Sequence, residues 1–260
     1  MDPGPLTIGR LSRLLGVNLQ DYRPEHLKRR LQTAMRRRRV DQWEAYFRLL
    51  RLQPETLQEL RRMLFIGTTA FFREPALFQE LEIKYLPALA QEGRLRVWSA
   101  GCSNGAELYS VALLLDAQGK LRGSRLLGTD CNPEALAQAR LGVYTRRQVE
   151  KVRPDLLSRG FLPLEEGRYQ IHPRLARQAR FAEQDLLRDP FEEDWDLILC
   201  CNLAIYLTEE AQHRLFTKLV QALRPGGILL TGRTERLWPA EAFGVEVLSN
   251  HCYRRRPLTG

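Results

Sequence analysis

The sequence has few of the residues and segments that mark secreted, metal-binding or membrane proteins. Its 260 residues include five cysteines, without paired CxxC motifs or a regular ladder, so we expect reduced, mostly buried thiols. Its four histidines show no ligand spacing, and we predict no metal site. No apolar run approaches the roughly 20 residues that span a bilayer, and the start lacks the apolar segment of a secretory signal. We therefore expect a cytoplasmic protein without membrane insertion.

Two phosphate-binding signatures are also missing. The glycine turn at residues 101–105 does not have GxGxxG spacing, and no GKS or GKT follows it. A dinucleotide or a nucleoside triphosphate therefore suits this turn less well than a nucleoside without phosphates.

Most of the net charge lies in one quarter of the chain. The formal net charge is +9, and the mix of 44% hydrophobic and 27% charged residues is that of an ordinary globular protein. Residues 1–66 contain 14 Arg and Lys against 7 Asp and Glu, a net of +7, whereas the rest contains 26 against 24, a net of +2. We predict a basic N-terminal helical domain over residues 1–66, which binds an acidic partner, and a catalytic domain over residues 67–260.

Helical periodicity extends over residues 6–64. Apolar residues recur three and four positions apart, with breaks at residues 16–18, 40–41 and 53–54, which predicts four short helices. In the second helix, a stripe of arginines lies beside the apolar face and is predicted to dock the substrate. These residues are Arg29, Arg30, Arg36 and Arg37. For the run of arginines at residues 36–39, the alternative is a solvated helix face.

Beyond residue 94, short β-branched or leucine-rich runs alternate with helices. The predicted strands cover residues 95–100, 125–130, 179–185, 195–202 and 226–232. This alternation predicts a doubly wound α/β fold, in which a mainly parallel sheet has helices on both faces. A polar segment at residues 159–171 has room for a hairpin and predicts a small β insert.

Glycines and an acidic residue follow the first two predicted strands. Gly101 and Gly105 let the backbone pass close to a ligand at the carboxyl end of the first strand. Asp130 ends the second strand, where a carboxylate can accept both ribose hydroxyl protons. The combination indicates an adenosyl cofactor. The alternatives are a tight structural turn for the glycines and a helix N-cap for Asp130.

Two further motifs complete the pattern: TTAFFREP at residues 68–75 and CCNLAIY at residues 200–206. With the basic helical domain, VWSAGCSNGAE at residues 97–107 and LGTD at residues 127–130, they resemble the CheR family of chemotaxis receptor methyltransferases over nearly the entire chain. The resemblance implies a Rossmann-like methyltransferase that uses S-adenosyl-L-methionine and leaves S-adenosyl-L-homocysteine. It also implies that the acceptors are glutamate side chains in the cytoplasmic helical bundle of a chemoreceptor.

The resemblance implies roles for individual residues as well. The residues predicted to surround the cofactor are Thr69, Arg73, Gly101, Glu107, Asp130, Asp185, Leu186, Cys201 and Asn202. Arg73 and Tyr206 match residues close to the transferred methyl group, so we predict that they orient the acceptor. Packing alone is the alternative for Tyr206. An ionised glutamate is already a nucleophile at neutral pH, so no general base is required.

The chain departs from the family pattern at several positions. Gly67 replaces the usual Asn, Ala106 and Leu108 replace the first Glu and the Pro of GEEPYS, and Cys201 replaces an Arg. These losses motivate the alternative of a non-catalytic S-adenosylmethionine-binding signalling protein. The basic domain motivates another, a nucleic-acid methyltransferase, although the Asn/Asp-Pro-Pro-aromatic motif and a stacking surface are missing.

The predicted hairpin is short as well. Its turn within residues 161–167 is shorter than in family members that hold a pentapeptide at a receptor's C-terminus. We therefore predict a receptor partner without this tether, and by default a monomeric enzyme.

Overall fold

The computed structural model describes residues 3–65 and 69–257. The chain divides into two compact units. The first consists of Met1–Gly67 and Tyr206–His213, and the second of Thr68–Ile205 and Arg214–Gly260. The predicted boundary between residues 66 and 67, and with it Gly67, lies outside the described residues.

The first unit contains the four helices predicted from its periodicity. They are α1 (Pro5–Leu15), α2 (Pro24–Arg37), α3 (Trp43–Leu52) and α4 (Pro54–Leu64), with a 3-10 turn at Leu19–Asp21. Proline occupies the first position of three of them, where no backbone N–H is needed. Gly16, at φ +73°, ends α1. Their apolar faces form one core, which includes Leu11, Leu31, Tyr46, Phe47 and Leu60.

A returning segment, Tyr206–His213, completes the first unit. Leu207 forms an isolated antiparallel bridge with Tyr22, and the Thr208 N–H donates to the Asp21 carbonyl over 2.9 Å. The Thr208 hydroxyl accepts from the Ala211 N–H over 3.3 Å and thereby caps the start of α12 (Glu209–Ala222). The sequence analysis assigned this segment to the catalytic domain alone.

The second unit is built on a seven-stranded sheet with the order β6-β2-β1-β7-β8-β10-β9. The strands are β1 (Arg96–Ala100), β2 (Arg125–Asp130), β6 (Ala179–Glu183), β7 (Trp195–Cys200), β8 (Leu223–Thr231), β9 (Val245–Ser249) and β10 (Cys252–Arg255). The first five in this order are parallel, and β10 is antiparallel to both its neighbours. This topology confirms the predicted doubly wound, Rossmann-like fold.

Helices surround this sheet. Besides α12 they are α5 (Pro75–Glu80), α6 (Leu86–Leu89), α7 (Ala106–Ala117), α8 (Pro133–Leu141), α9 (Arg146–Val149), α10 (Pro154–Gly160) and α11 (Pro173–Ala176). Single π and 3-10 turns cover Leu81–Tyr85, Ala90–Glu92, Glu165–Gly167, Ala204–Tyr206 and Ala240–Phe243. Within the described ranges, no helix is both long and apolar enough to cross a membrane.

The predicted β insert is present as an antiparallel hairpin. β4 (Phe161–Pro163) pairs with β5 (Arg168–Ile171), and Glu166 takes φ +57° in the turn. A third strand, β3 (Val143–Thr145), also pairs with β5 and was not predicted from the sequence.

Candidate functional site

The carboxyl ends of three parallel strands bring the predicted cofactor residues together. β1 lies between β2 and β7, in a register that pairs Ala100 with Thr129 and Ser99 with Leu199. The chain leaves β1 toward one side of the sheet and later returns on the other. Such a switch point opens a crevice in which doubly wound sheets bind their ligands.

The glycine turn after β1 has no room for side chains. Gly101 has φ +80°, and a Cβ there would lie 2.4 Å from Leu203 Cδ1. Gly105 has φ +82° at the start of α7, and a Cβ there would lie 2.9 Å from the Phe181 ring. The positive φ angles of both glycines fit a tight structural turn, and they equally fit a turn that lets a ligand approach the backbone.

Asp130, at the end of β2, forms a hydrogen bond with the turn after β1. Its Oδ2 accepts from the Ser103 N–H and its Oδ1 from the Asn132 N–H, each over 2.9 Å. Burial raises the pKa of the Asp130 carboxyl, and the backbone donors oppose this rise. The N-cap of α8 is Asn132, which accepts from the Glu134 N–H, so Asp130 is not a helix N-cap. Its oxygens keep further lone pairs, with which they can accept from ribose hydroxyls.

Glu107 lies in the first turn of α7, against β1. Its Oε1 accepts from the Ser99 hydroxyl over 2.7 Å, and the Cys201 thiol also donates to the carboxylate. Burial raises the pKa of Glu107 to about 7, and the nearby carboxylates of Glu235 and Glu74 contribute to the rise. The site therefore concentrates negative charge in a region of low solvent access.

Glu74 is a site residue that the sequence analysis missed. Its Oε1 accepts from Asn202 Nδ2 over 3.1 Å and from the Arg233 N–H over 3.3 Å. Its Oε2 is buried and finds no hydrogen-bond partner in the part of the chain that the structure describes. The available signal was its position directly after Arg73 in the TTAFFREP motif.

A cationic ligand fits this arrangement. An unpartnered carboxylate oxygen on Glu74 and the nearby Glu107 favour a positive group, and S-adenosylmethionine carries an ammonium and a sulfonium. The described residues contain no group of three or more His, Cys, Asp or Glu side chains that could hold a metal ion.

Glu235 is a second residue that the sequence analysis missed. It is 3% exposed, and its Oε2 accepts from the Asn202 N–H over 2.6 Å and the Gly232 N–H over 2.8 Å. Its Oε1 accepts from the Ala204 N–H over 2.6 Å, and the Leu203 N–H also donates to the carboxylate. Glu235 therefore holds the turn after β7, in which Asn202 has φ +60°. The sequence signal was only an acidic residue shortly after β8.

Asp185 and Leu186 follow β6, next to the end of β2. The Gln184 N–H donates to the Asp130 carbonyl over 3.1 Å, so this turn adjoins Asp130. Asp185 Oδ1 accepts from the Leu187 N–H over 2.9 Å, and the Leu186 carbonyl accepts from Lys218 Nζ over 3.0 Å.

Two other predicted residues, Thr69 and Arg73, lie on the segment before α5. Thr69 is half-buried, whereas Arg73 is exposed and its carbonyl accepts from Lys151 Nζ over 2.9 Å. The contacts of the turns after β1, β2 and β7 therefore bring five of the predicted residues together: Gly101, Glu107, Asp130, Cys201 and Asn202. Thr69 and Arg73 lie just before Glu74 in the chain.

Tyr206 belongs to the first unit and packs against α2. Its ring centroid is 4.4 Å from that of His26, and the Arg30 guanidinium carbon is 5.1 Å from the Tyr206 ring centroid. Burial, with the charges of Arg30 and Arg29, lowers the pKa of His26 to about 4. His26 is therefore neutral at physiological pH, and Tyr206 is held between it and a cation.

The four arginines of the predicted docking stripe differ in their surroundings. Arg29, Arg36 and Arg37 are exposed. Arg30 is half-buried, and its Nη1 donates to the carbonyls of Met63 and Leu64 over 2.8 and 2.7 Å, at the end of α4. These three side chains are accessible to a partner, and one of them, Arg37, also lies 3.6 Å from Glu59 Oε1. Arg30 instead stabilises the unit and contacts Tyr206.

Comparison with known proteins gives a consistent result. Residues 67–249 match the family model described as CheR methyltransferase, SAM binding domain, and residues 8–65 match CheR methyltransferase, all-alpha domain. The chain is 34% identical over 246 residues to the chemotaxis protein methyltransferase of Listeria monocytogenes, covering 94% of this chain and 93% of that protein. It is 30% identical over 239 residues to the chemotaxis protein methyltransferase of Escherichia coli, covering 87% and 82%.

Proposed function

Because the chain belongs to the CheR methyltransferase family, we propose that it methylates glutamate side chains in the cytoplasmic helical bundle of a chemoreceptor. The chain is an S-adenosylmethionine-dependent methyltransferase, and glutamate methyl esters formed in sensory adaptation are the proposed product. The observation that carries the proposal is the buried acidic site at the strand ends, with an unpartnered oxygen on Glu74.

Different residues of this site bind different parts of the cofactor. Asp130 accepts from the ribose hydroxyls, while Glu107 and Glu74 bind its cationic end. When bound, S-adenosylmethionine supplies an electrophilic methyl group on a sulfonium. The acceptor glutamate is ionised at neutral pH and needs no base, so the protein's task is to align it and to exclude water.

Three of the four departures from the family pattern lie among residues that the structure describes. Ala106 and Leu108 are fully buried in α7, where they pack in the core of the second unit. Cys201 still donates to Glu107, although as a weak neutral donor rather than a cation. Their positions give no support to the alternative of a non-catalytic protein.

Glu107 should make cofactor affinity depend on pH. Its pKa of about 7 means that a cationic ligand has to displace a proton at lower pH. We expect affinity for S-adenosylhomocysteine to rise from pH 5.5 to 7, by up to about tenfold per pH unit, and then to level off. Calorimetry in two buffers of different ionisation enthalpy measures the released proton.

The matched variants are Glu107→Gln, which should abolish the pH dependence, and Glu209→Gln, which should keep it. Glu209 is an exposed glutamate in the first turn of another helix. An unchanged pH profile in Glu107→Gln would assign the proton to a different group.

Tyr206→Phe tests the proposed alignment of the acceptor. The family resemblance assigns Tyr206 a place near the transferred methyl group, and its contacts with His26 and Arg30 hold the ring in one position. We expect kcat to fall roughly 10- to 100-fold with unchanged cofactor affinity, because the ring remains and only the hydroxyl is lost. Methyl transfer to a receptor's soluble cytoplasmic fragment, with calorimetry, gives both values.

Tyr169→Phe is the control, because Tyr169 is a half-buried tyrosine in the small sheet. If Tyr206→Phe turns over as fast as wild type, Tyr206 has a packing role only.

We further propose that Arg29, Arg36 and Arg37 steer the acidic receptor bundle onto α2, mainly through long-range attraction. The short β4–β5 turn supports binding without a pentapeptide tether. We propose a monomer acting in the cytoplasm, where the receptor bundle would be reached.

A further inference from the structure

The segment that follows β8, residues 232–239, has both buried and exposed side chains. Glu235 and Leu237 are 3% and 2% exposed, so they face the interior. The outward side chains are those of Arg233, Arg236 and Trp238, and Trp238 is 84% exposed. We call this segment the rim loop. The rim loop therefore has an inner face that packs and an outer face that is exposed.

The inner face is fixed to the cofactor site. The Glu235 carboxylate accepts from the Asn202 and Ala204 N–H groups, each over 2.6 Å. A Cβ on Gly232 would lie 2.6 Å from Asn202 Nδ2, so the loop passes in direct contact with that residue. The Leu237 N–H donates to the Tyr253 hydroxyl over 3.3 Å. The outer face is therefore held next to the turn that carries Asn202.

The outer face has the chemistry of a binding surface. Neither Arg233 nor Arg236 forms a side-chain ion pair with any residue the structure describes. Trp238 has the largest exposed apolar surface of this segment. Tryptophan and arginine dominate the energetics of protein interfaces, and arginine pairs with carboxylates through two parallel hydrogen bonds.

We propose that the outer face of the rim loop binds the acidic acceptor helix of the receptor next to the glutamate that is methylated. The inference rests on the proposed function and adds a docking surface within the catalytic unit itself. The two unpaired guanidinium groups complement a glutamate-rich helix, and Trp238 covers its apolar side chains. These side chains set the affinity for the acceptor and take no part in binding the cofactor.

The test is the steady-state kinetics of Arg233→Glu/Arg236→Glu and of Trp238→Ala. The acceptor is the soluble cytoplasmic fragment of a chemoreceptor from the same genome. We expect the KM for the fragment to rise roughly tenfold in each variant, with kcat within about twofold of wild type. Affinity for S-adenosylhomocysteine should not change. The double variant should also lose most of the salt dependence of KM, because charge attraction is screened by salt.

Two control variants sharpen the result. Arg233→Lys/Arg236→Lys keeps the charge and should restore most of the affinity. Arg122→Glu reverses the charge of an exposed arginine in the turn before β2, at the amino ends of the parallel strands. This variant should behave as wild type.

Three outcomes would overturn the proposal. An unchanged KM in both variants would exclude the outer face from acceptor binding. Lost affinity for S-adenosylhomocysteine would reduce the loop to a structural part of the cofactor site. Sedimentation with phosphatidylglycerol vesicles that is lost in Trp238→Ala, at an unchanged KM for the soluble fragment, would assign the surface to a membrane. These three outcomes would leave the proposed function intact. The proposed function itself would be rejected if the wild-type protein binds S-adenosylhomocysteine but does not methylate the fragment.

Discussion

Asp130→Ala is expected to weaken the binding of S-adenosylhomocysteine by about 100-fold. The variant removes both proposed acceptors for the ribose hydroxyls, and hydrogen bonds to a charged group contribute about 1.5–3 kcal/mol each. It also removes the acceptor of the Ser103 and Asn132 N–H groups, which loosens the turn after β1. Calorimetric titration of the purified protein measures the change directly.

Asp155→Ala is the matched control for this measurement. Asp155 is an exposed carboxylate in α10 that pairs with Arg153, and its loss should leave the affinity unchanged. Asp130→Asn keeps the shape of the side chain and should fall between the two. Wild-type affinity in Asp130→Ala would remove the residue from the cofactor site.

Glu235→Leu is expected to lower the free energy of unfolding by about 3–5 kcal/mol. The leucine leaves the four backbone N–H groups of Asn202, Leu203, Ala204 and Gly232 buried without their acceptor. The turn after β7 should then lose its shape, and cofactor affinity should fall with it. A thermal melt followed by circular dichroism should show Tm lower by roughly 10 °C.

Two control variants test whether this loss of stability is specific to Glu235→Leu or follows from any substitution in the region. Glu235→Gln keeps one acceptor oxygen and should cost about 1–2 kcal/mol. Glu241→Leu changes an exposed glutamate in the nearby 3-10 turn and should alter stability by less than about 0.5 kcal/mol. Equal losses in Glu235→Leu and Glu241→Leu would contradict the role of Glu235.

Local patterns in the sequence predicted most elements of the fold. The helical period, with proline at helix starts and Gly16 at a helix end, was sufficient for the four helices of the first unit. The strand prediction was less accurate around residues 224–227, where β8 begins at Leu223 and pairs with Trp195 before a register shift. Pairing with a neighbouring strand decided that boundary, and a local pattern does not contain this information.

In the candidate site too, local sequence signals predicted some residues, and contacts between distant segments decided others. Asp130 was predicted because it ends the second strand, where a doubly wound sheet binds its ligand, whereas Glu107 and Asn202 were implied by the family resemblance. Glu74 and Glu235 were missed because their partners are distant in sequence: Glu74 meets Asn202 at a separation of 128 residues, and Glu235 meets it at 33.

By itself, the sequence determined the doubly wound fold, the strand ends that carry the acidic residues and the concentration of positive charge in α2. These depend on periodicity and on the chain order of strands and helices, which are properties of neighbouring residues. Three features were decided only by the tertiary structure. Arg30 donates to carbonyls at the end of α4, and Tyr206 packs on His26. Glu235 accepts hydrogen bonds from backbone N–H groups around Asn202. Each of these results from a buried polar group finding its partner in a distant segment, and the requirement to satisfy such groups acts only once the chain has folded.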